Sequence, residues 1–268
     1  FMGILFLIFP QYSFAGNEEI IKLKKTNKCY SCDLKKINLS GQNLSYSVLD
    51  NSNLKRSNIS KGELYETSLK KTLLSKSNLR LINLSGSDIS QSNFYKANLF
   101  GSNLSFVKGN NTNFEKAKLN HSKIDESNFQ NSNFKKVDLS NANLTLSNFS
   151  NTNFKKAKMN KTILEETNLS NSNLSFADIS NSNLVGANLS NSYIYRTNLN
   201  YSDLSYTDIN EASIINSNLE GVNLDYADLS GVNLKGSNLK KSSLVGTNLN
   251  GAKYCKTTMP WGVDNSDC

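Results

Sequence analysis

A single histidine and a single tryptophan among 268 residues leave little material for acid–base or metal chemistry, so hydrolase and metalloenzyme functions start at a disadvantage. No apolar run approaches the ~20 residues of a membrane-spanning helix. The N-terminal run, Phe1 to Phe9, has nine. Hydrophobic residues make up 37% of the chain, too few for a membrane protein. Leu, Ile and Phe are nevertheless spaced too evenly for a disordered one. The length allows one large domain or two ordinary ones. What the chain has in excess is Asn, Ser and Leu, and 30 basic residues against 22 acidic ones, a formal net charge of +8.

The N-terminal run is followed by Pro10, by small residues at Ser13 and Ala15, and then by Glu18 and Glu19. Small residues in this spacing after a short apolar segment fit the cleavage pattern of an export signal. Residues 1–15 therefore read as a signal peptide whose basic leader would lie upstream of Phe1. The mature chain, Gly16 to Cys268, is expected in the periplasm or outside the cell, with no transmembrane segment. Four cysteines stand near its two ends, Cys29 and Cys32, Cys255 and Cys268. In an exported protein an even number of cysteines points to structural disulfides, with three pairings open. Cys29-x-x-Cys32 is also the spacing of redox and zinc half-sites, but no histidine follows Cys32 and no βαβ pattern surrounds it.

From Leu34 to Leu249 every fifth residue is apolar, 44 positions without an insertion and with Gly109 as the one exception. Two residues before each centre the side chain is usually small, as at Ala97, Ser102, Ala117, Ser132 and Ala187. One residue before it is Asn or Asp in 32 of the 44 units. A period of five matches neither a helix at 3.6 nor a strand at 2, so each unit must contain a change of direction. Asn and Asp tolerate turn conformations and bond nearby backbone groups, which suits a corner in every unit. Four corners make a coil of twenty residues, and coils stacked at ~4.8 Å give about 11 coils in a rod ~50 Å long. Phe94, Phe114, Phe134 and Phe154, each twenty residues apart, then fall in one inward column.

Units such as Ala97-Asn98-Leu99, Ala187-Asn188-Leu189 and Ala227-Asp228-Leu229 resemble the pentapeptide repeat family. The resemblance covers about 220 of the 268 residues and implies that family's all-β fold, a right-handed quadrilateral β-helix. Cys29 to Leu34 and Cys255 to Pro260 resemble the end segments of exported and lumenal members, although Trp261 stands where those members more often carry Asp. The expected organisation is a signal peptide at 1–15, an N-terminal cap at 16–33, the β-helix at 34–253 and a C-terminal cap at 254–268. An open stack invites edge-to-edge association. Glu18 to Lys28, with Ile20, Ile21 and Leu23 among charges, is expected to cover the first coil as a short helix, and Met259, Pro260 and Trp261 the last. With the cysteine pairs ~50 Å apart on a straight monomeric rod, Cys29 to Cys32 and Cys255 to Cys268 are the expected bridges.

Stacking at twenty residues sorts the exposed positions without a structure. One face carries Lys36, Arg56, Lys76, Lys96, Lys116, Lys136, Lys156, Phe176 and Arg196, and with Lys35, Lys55, Lys135, Lys155 and Lys235 it has 13 basic residues in 22 positions against one acid, Glu115. The opposite face has no Lys or Arg at its 22 equivalent positions. It carries Glu66, Asp125, Glu126, Glu165, Glu166 and Asp225, with Tyr46, Tyr65, Phe106, Tyr206 and Tyr226. A third face holds Asn111, Asn131, Asn151, Asn171 and Asn191. Like charges ~4.8 Å apart repel by ~1 kcal/mol or less in water, so the basic ladder is tolerable but not free. It makes Lys36, Arg56, Lys76, Lys96, Lys116, Lys136, Lys156 and Arg196 candidate anion-binding residues, a track for envelope phosphates, acidic glycans or nucleic acid. Duplication is a second origin for the ladder, since Asn113 to Ala117, Asn133 to Val137 and Asn153 to Ala157 look like copies of one unit. Assembly of rods, basic face to acidic face, is a third.

His121 is alone and outward, with no nucleophile tied to it. Gly109 suggests a bulge or a loosened corner. Asn-x-Ser matches such as Asn38-Leu39-Ser40 arise from the repeat and carry no weight as glycosylation sites. The chain is thus expected to be a non-enzymatic, exported interaction scaffold with no cofactor, no small-molecule substrate, and a protein or polyanion as partner. Family members that mimic DNA to protect topoisomerases supply an alternative, opposed by the export signal and by the positive charge.

Overall fold

The computed structural model describes residues 17–268, so the signal-peptide reading of residues 1–15 lies outside the described residues. From Lys28 to Thr258 the backbone is organised by parallel β-bridges, and each joins residues twenty apart. Bridges such as Asn38↔Asn58, Asn43↔Glu63, Val48↔Ser68 and Asn53↔Leu73 define four ladders per twenty residues. In two places the bridging extends to short strands, β1 (Tyr193–Tyr195) and β2 (Ser213–Ile215), paired in parallel. The pairing is non-local throughout. Leu99 N–H, for example, donates to Lys118 O at 2.7 Å, and Asn98 N–H to Ser77 O at 2.9 Å.

Each side chain of the unit has a physical task. The apolar centre is buried, with Leu54, Leu99, Phe134, Leu189 and Leu234 all at 0% exposure. The small residue two before it is buried too, and in many units where it is Ser or Thr its hydroxyl ties successive coils together, whereas the Ser47, Ser102 and Ser192 hydroxyls have no partner. Ser132 Oγ accepts the Thr112 N–H at 3.0 Å and donates to Gly109 O at 2.9 Å. That satisfies three groups that would be costly to bury unpaired. The Asn or Asp before the centre accepts from the N–H two residues on, closing an Asx turn: Tyr95 N–H to Asn93 Oδ1 at 2.9 Å, Ser230 N–H to Asp228 Oδ1 at 3.0 Å. The residue two after the centre then takes a left-handed conformation, φ 55° at Lys36, 62° at Lys116 and 68° at Gly41.

The core is a set of side-chain columns. Phe94, Phe114 and Phe134 stack face to face with centroids 4.7 and 4.9 Å apart, and Phe154 follows at 5.3 Å. A second column, Phe129 and Phe149, stacks at 5.3 Å and meets the first edge-on. Gly109 heads this second column. Neither a bulge nor a loosened corner occurs there: Lys108 bridges Asn128, and Gly109 N–H donates to Asn128 O at 2.7 Å. The Phe129 ring occupies the space into which a side chain at Gly109 would project.

The five-residue period extends past the apolar run of the sequence. Cys29 occupies an inward centre at 0% exposure and Met259 another at 1%. Helix α1 (Asn17–Thr26) precedes the first unit, with Glu18 and Glu19 in its first turn and Lys24 and Lys25 in its last, the polarity that suits a helix dipole. Leu23 and Ile20 pack on the core, whereas Ile21 faces solvent. Asn27, at φ 52°, ends the helix in the left-handed conformation Asn tolerates. At the other end β3 (Thr257–Met259) and β4 (Gly262–Asp264) form an antiparallel hairpin. Trp261 sits at its tip, 68% exposed, so Met259 rather than Trp261 covers the core there.

Candidate anion-binding edge

The residues one and two after each centre make the turns, so the basic face of the sequence is a corner edge of the stack. The structure brings the eight candidate cations into one column. Lys36, Arg56, Lys76, Lys96, Lys136, Lys156 and Arg196 are exposed, and Lys116 is half-buried. All eight hold left-handed φ values, between 51° and 62°. A side chain with a Cβ is disfavoured there by roughly 1–2 kcal/mol, and Gly or Asn relieves the strain. Another corner uses that relief, with Asn111, Asn131, Asn151, Asn171 and Asn191 at the equivalent turns. On the basic edge neither Gly nor Asn appears in the left-handed position from Lys36 to Arg196.

Along parts of the edge the cations lie against aromatic or acidic neighbours. Lys96 and Lys116 both lie 5.3 Å from the Tyr95 ring, and Lys116 Nζ donates to Tyr95 Oη at 3.3 Å and pairs with Glu115 at 3.6 Å. That hydrogen bond draws the Tyr95 phenol below its usual range and raises the Lys116 ammonium. Lys155 and Lys156 reach the Phe176 ring at 5.8 and 5.7 Å, and Arg196 lies 5.3 Å from Tyr195. These are cation–π distances. Near the N-terminal end the edge is instead concave, with a groove of about 300 Å³ lined by Lys35, Lys36, Lys55, Arg56, Ser75 and Lys76.

Two family models match the chain, one described as a pentapeptide repeat region over residues 127–204 and one as pentapeptide repeats (8 copies) over residues 32–70, 67–105 and 217–253. The chain belongs to the pentapeptide repeat family. Comparison with curated proteins gives no match. Among solved structures it is similar to HetL, a pentapeptide repeat protein involved in heterocyst differentiation regulation from the cyanobacterium Nostoc sp. strain PCC 7120, at 26% identity over 91% of this chain and 97% of that one, with a TM-score of 0.48. QnrB1, a plasmid-mediated fluoroquinolone resistance protein, is 15% identical over 82% and 87% of the two chains, with a TM-score of 0.38. A pentapeptide repeat protein of the Arabidopsis thaliana thylakoid lumen is 21% identical over 50% and 69%, with a TM-score of 0.22. Family membership implies a right-handed quadrilateral β-helix.

The stretch 106–126, which separates two family matches, is the part of this pentapeptide repeat chain that contains Gly109. Sequence reasoning places Gly109 in the pattern but misses Phe129 as its complement. The opposite edge carries its six acids on turns, and some are absorbed into the scaffold: Asp225 accepts from Val245 N–H at 3.0 Å and Asp125 from the Ser105 hydroxyl at 2.6 Å. Beside them Tyr46, Phe106, Tyr206 and Tyr226 are exposed, the last two stacked at 5.2 Å. His121 is exposed, and its ring lies 5.4 Å from that of Phe100. Among the described residues no group of three His, Cys, Asp or Glu is placed to hold a metal, and no helix is long and apolar enough to cross a membrane. The sulfurs of Cys29 and Cys32 lie within bonding distance, with Cα atoms 5.6 Å apart, and so do those of Cys255 and Cys268, at 4.8 Å.

Proposed function

We propose that this pentapeptide repeat chain is an exported, non-enzymatic interaction rod whose basic edge binds an anionic partner. In this reading the coil is closed and right-handed, about 11 coils long, capped by the N-terminal helix and the C-terminal hairpin, and fastened at each end by a disulfide. The observation that carries it is the alignment of eight Lys and Arg side chains at the left-handed turns of one edge, Lys36 to Arg196, with Glu115 as the one acid at the turns of that edge. Left-handed turns on the other edges also carry side chains other than Gly and Asn, such as Tyr46, Glu66 and His121, so what singles out this edge is its charge.

The reading is tested by retention on a panel of immobilised polyanions, anionic envelope lipids, acidic glycans and DNA, at physiological salt. K96Q, K116Q, K136Q and K156Q combined are expected to abolish retention and leave the circular-dichroism spectrum unchanged. Equal retention by both proteins would exclude the basic edge as the site.

The acidic, tyrosine-bearing edge favours a second reading, lateral association of rods by charge complementarity between opposite edges that share one axial repeat. A contact of that kind is heterologous and does not close, so it would build sheets rather than dimers. Sedimentation velocity at low and high salt distinguishes the two: salt-sensitive polymers without added polyanion support assembly, and a monomer throughout rejects it. A DNA-mimic role fits less well, because the longest charged column is positive.

A further inference from the structure

Within the basic edge, three features mark the levels of Lys36, Arg56 and Lys76. They enclose a groove, of about 300 Å³, the lower end of the range for small-molecule sites. They gather five cations, Lys35, Lys36, Lys55, Arg56 and Lys76, with Ser75 beside them. Their charges also lack the aromatic partners of several levels higher up, a lack they share with Lys135 and Lys136. Among the described residues only Lys35 is paired, with Asp33 at 3.2 Å, and that pair is half-exposed on both sides. Lys96, Lys116, Lys155, Lys156 and Arg196, in contrast, each lie against Tyr95, Phe176 or Tyr195.

The backbone fixes the spacing of these groups. Lys36 N–H donates to Lys55 O at 3.0 Å, and Arg56 N–H to Ser75 O at 3.1 Å, so successive turns stand one bridge spacing apart, ~4.8 Å. Five cationic residues lining one concavity repel one another, and a bound anion with several charges removes that repulsion and is held by charge-assisted hydrogen bonds. Arg56 at the middle level offers a planar fork that matches phosphate oxygens, and the lysines above and below it supply point charges. A single monoanion meets only one level, whereas a chain of phosphoryl groups meets all three.

We propose that this groove is a discrete site for a compact oligophosphate, bound along the column Lys36, Arg56, Lys76. The proposal rests on the anion-binding reading of the edge and narrows it to one ligand class and one place. The acceptor oxygens come from the ligand, and Lys35, Lys55 and Ser75 flank it.

Isothermal titration of the full chain with tripolyphosphate tests the site, with orthophosphate as the single-group control. The expected result is one tripolyphosphate per chain, bound at least about tenfold more tightly than orthophosphate. The triple variant K36Q/R56Q/K76Q is expected to lose at least about tenfold in affinity, and K136Q/K156Q less than about threefold. K36G/R56G/K76G places glycine at three left-handed turns and keeps the fold, so a matching loss in that variant rules out misfolding as the cause. Several weak equivalents per chain, or equal losses in the groove and upper-edge variants, overturn the discrete site while leaving the edge as a diffuse polyanion surface. Retention of long polyanions without any tripolyphosphate binding has the same meaning. Failure of both overturns the edge reading itself.

Discussion

The Phe129 ring fills the space that Gly109 leaves open. The two residues stack twenty apart in one inward column, and a Cβ at Gly109 would fall on Cδ1 and Cε1 of that ring. Gly109 has no left-handed φ that would require glycine, so its role is one of volume alone. The exception in a run of 44 apolar centres is therefore the counterpart of an oversized neighbour.

Restoring the repeat by Gly109→Leu is expected to destabilise the rod by about 1–3 kcal/mol or more through overpacking. Phe129→Ala, which removes a ring at 0% exposure, is expected to cost about 3–5 kcal/mol through the cavity it opens. The double variant Gly109→Leu with Phe129→Leu should recover most of the loss. Chemical denaturation of the wild type, Gly109→Leu, Phe129→Leu and their double variant measures the coupling, and additive losses would mean that the two residues do not share one space.

Glycine at the left-handed turns of the basic edge should separate stability from binding. Lys136→Gly and Lys156→Gly, at φ 58° and 62°, are expected to hold or raise stability by up to about 1 kcal/mol per site. The same changes should weaken retention on polyanions. Thermal melts beside retention profiles read both, and a fall in stability would show that the lysines serve the fold.

Acid should loosen the rod at its aspartate turns. The Ser230 N–H and hydroxyl hold Asp228 below the usual carboxylate range. Burial alone would raise Asp88, but the Ser90 hydrogen bonds and the Lys70 ammonium, 3.3 Å away, bring it below that range as well. A carboxyl depressed in the folded state stabilises above its unfolded value, near 4, and that stabilisation is lost as pH falls through the folded value. Melting temperature is thus expected to fall below about pH 4. Asp88→Asn with Asp228→Asn keeps the Asx turns and should flatten the acid limb, and an unchanged limb would place the acid sensitivity elsewhere.

Reduction should act at the ends. Cys255 and Cys268 clip the residues that follow the last buried centre, Met259, and Tyr254 N–H bonds Asp267 across the same segment at 2.7 Å. Dithiothreitol, or the pair Cys255→Ser and Cys268→Ser, is expected to raise amide exchange in residues 254–268 and leave the central ladders protected. Loss of protection throughout would show that the end fastening governs the whole stack.

The scaffold is legible in sequence because it repeats: forty-three apolar centres and the Asn and Asp before them report the same geometry each time, and Asn93 or Asp228 can be assigned an Asx turn before any coordinates are seen. The sorting of charge onto opposite edges follows from the twenty-residue offset alone. The Gly109–Phe129 fit was not legible, because a column of side chains carries volume information across levels that a single unit does not. Nor was the solvent position of Trp261, since the repeat ends before it and the hairpin of β3 and β4 sets its direction. The groove at Lys36, Arg56 and Lys76 depends on which neighbours lack aromatic rings. That distinction emerges once Tyr95, Phe176 and Tyr195 are seen against the lysines above.

The most direct test of the anion-binding edge is the salt dependence of affinity for a long polyanion, compared between the protein and its K96Q/K116Q/K136Q/K156Q variant. If the edge releases counterions as it binds, the slope of log affinity against log salt should become shallower by about 3 on losing four lysines. The same slope and affinity for both proteins would contradict the account and leave the ladder as inherited repetition.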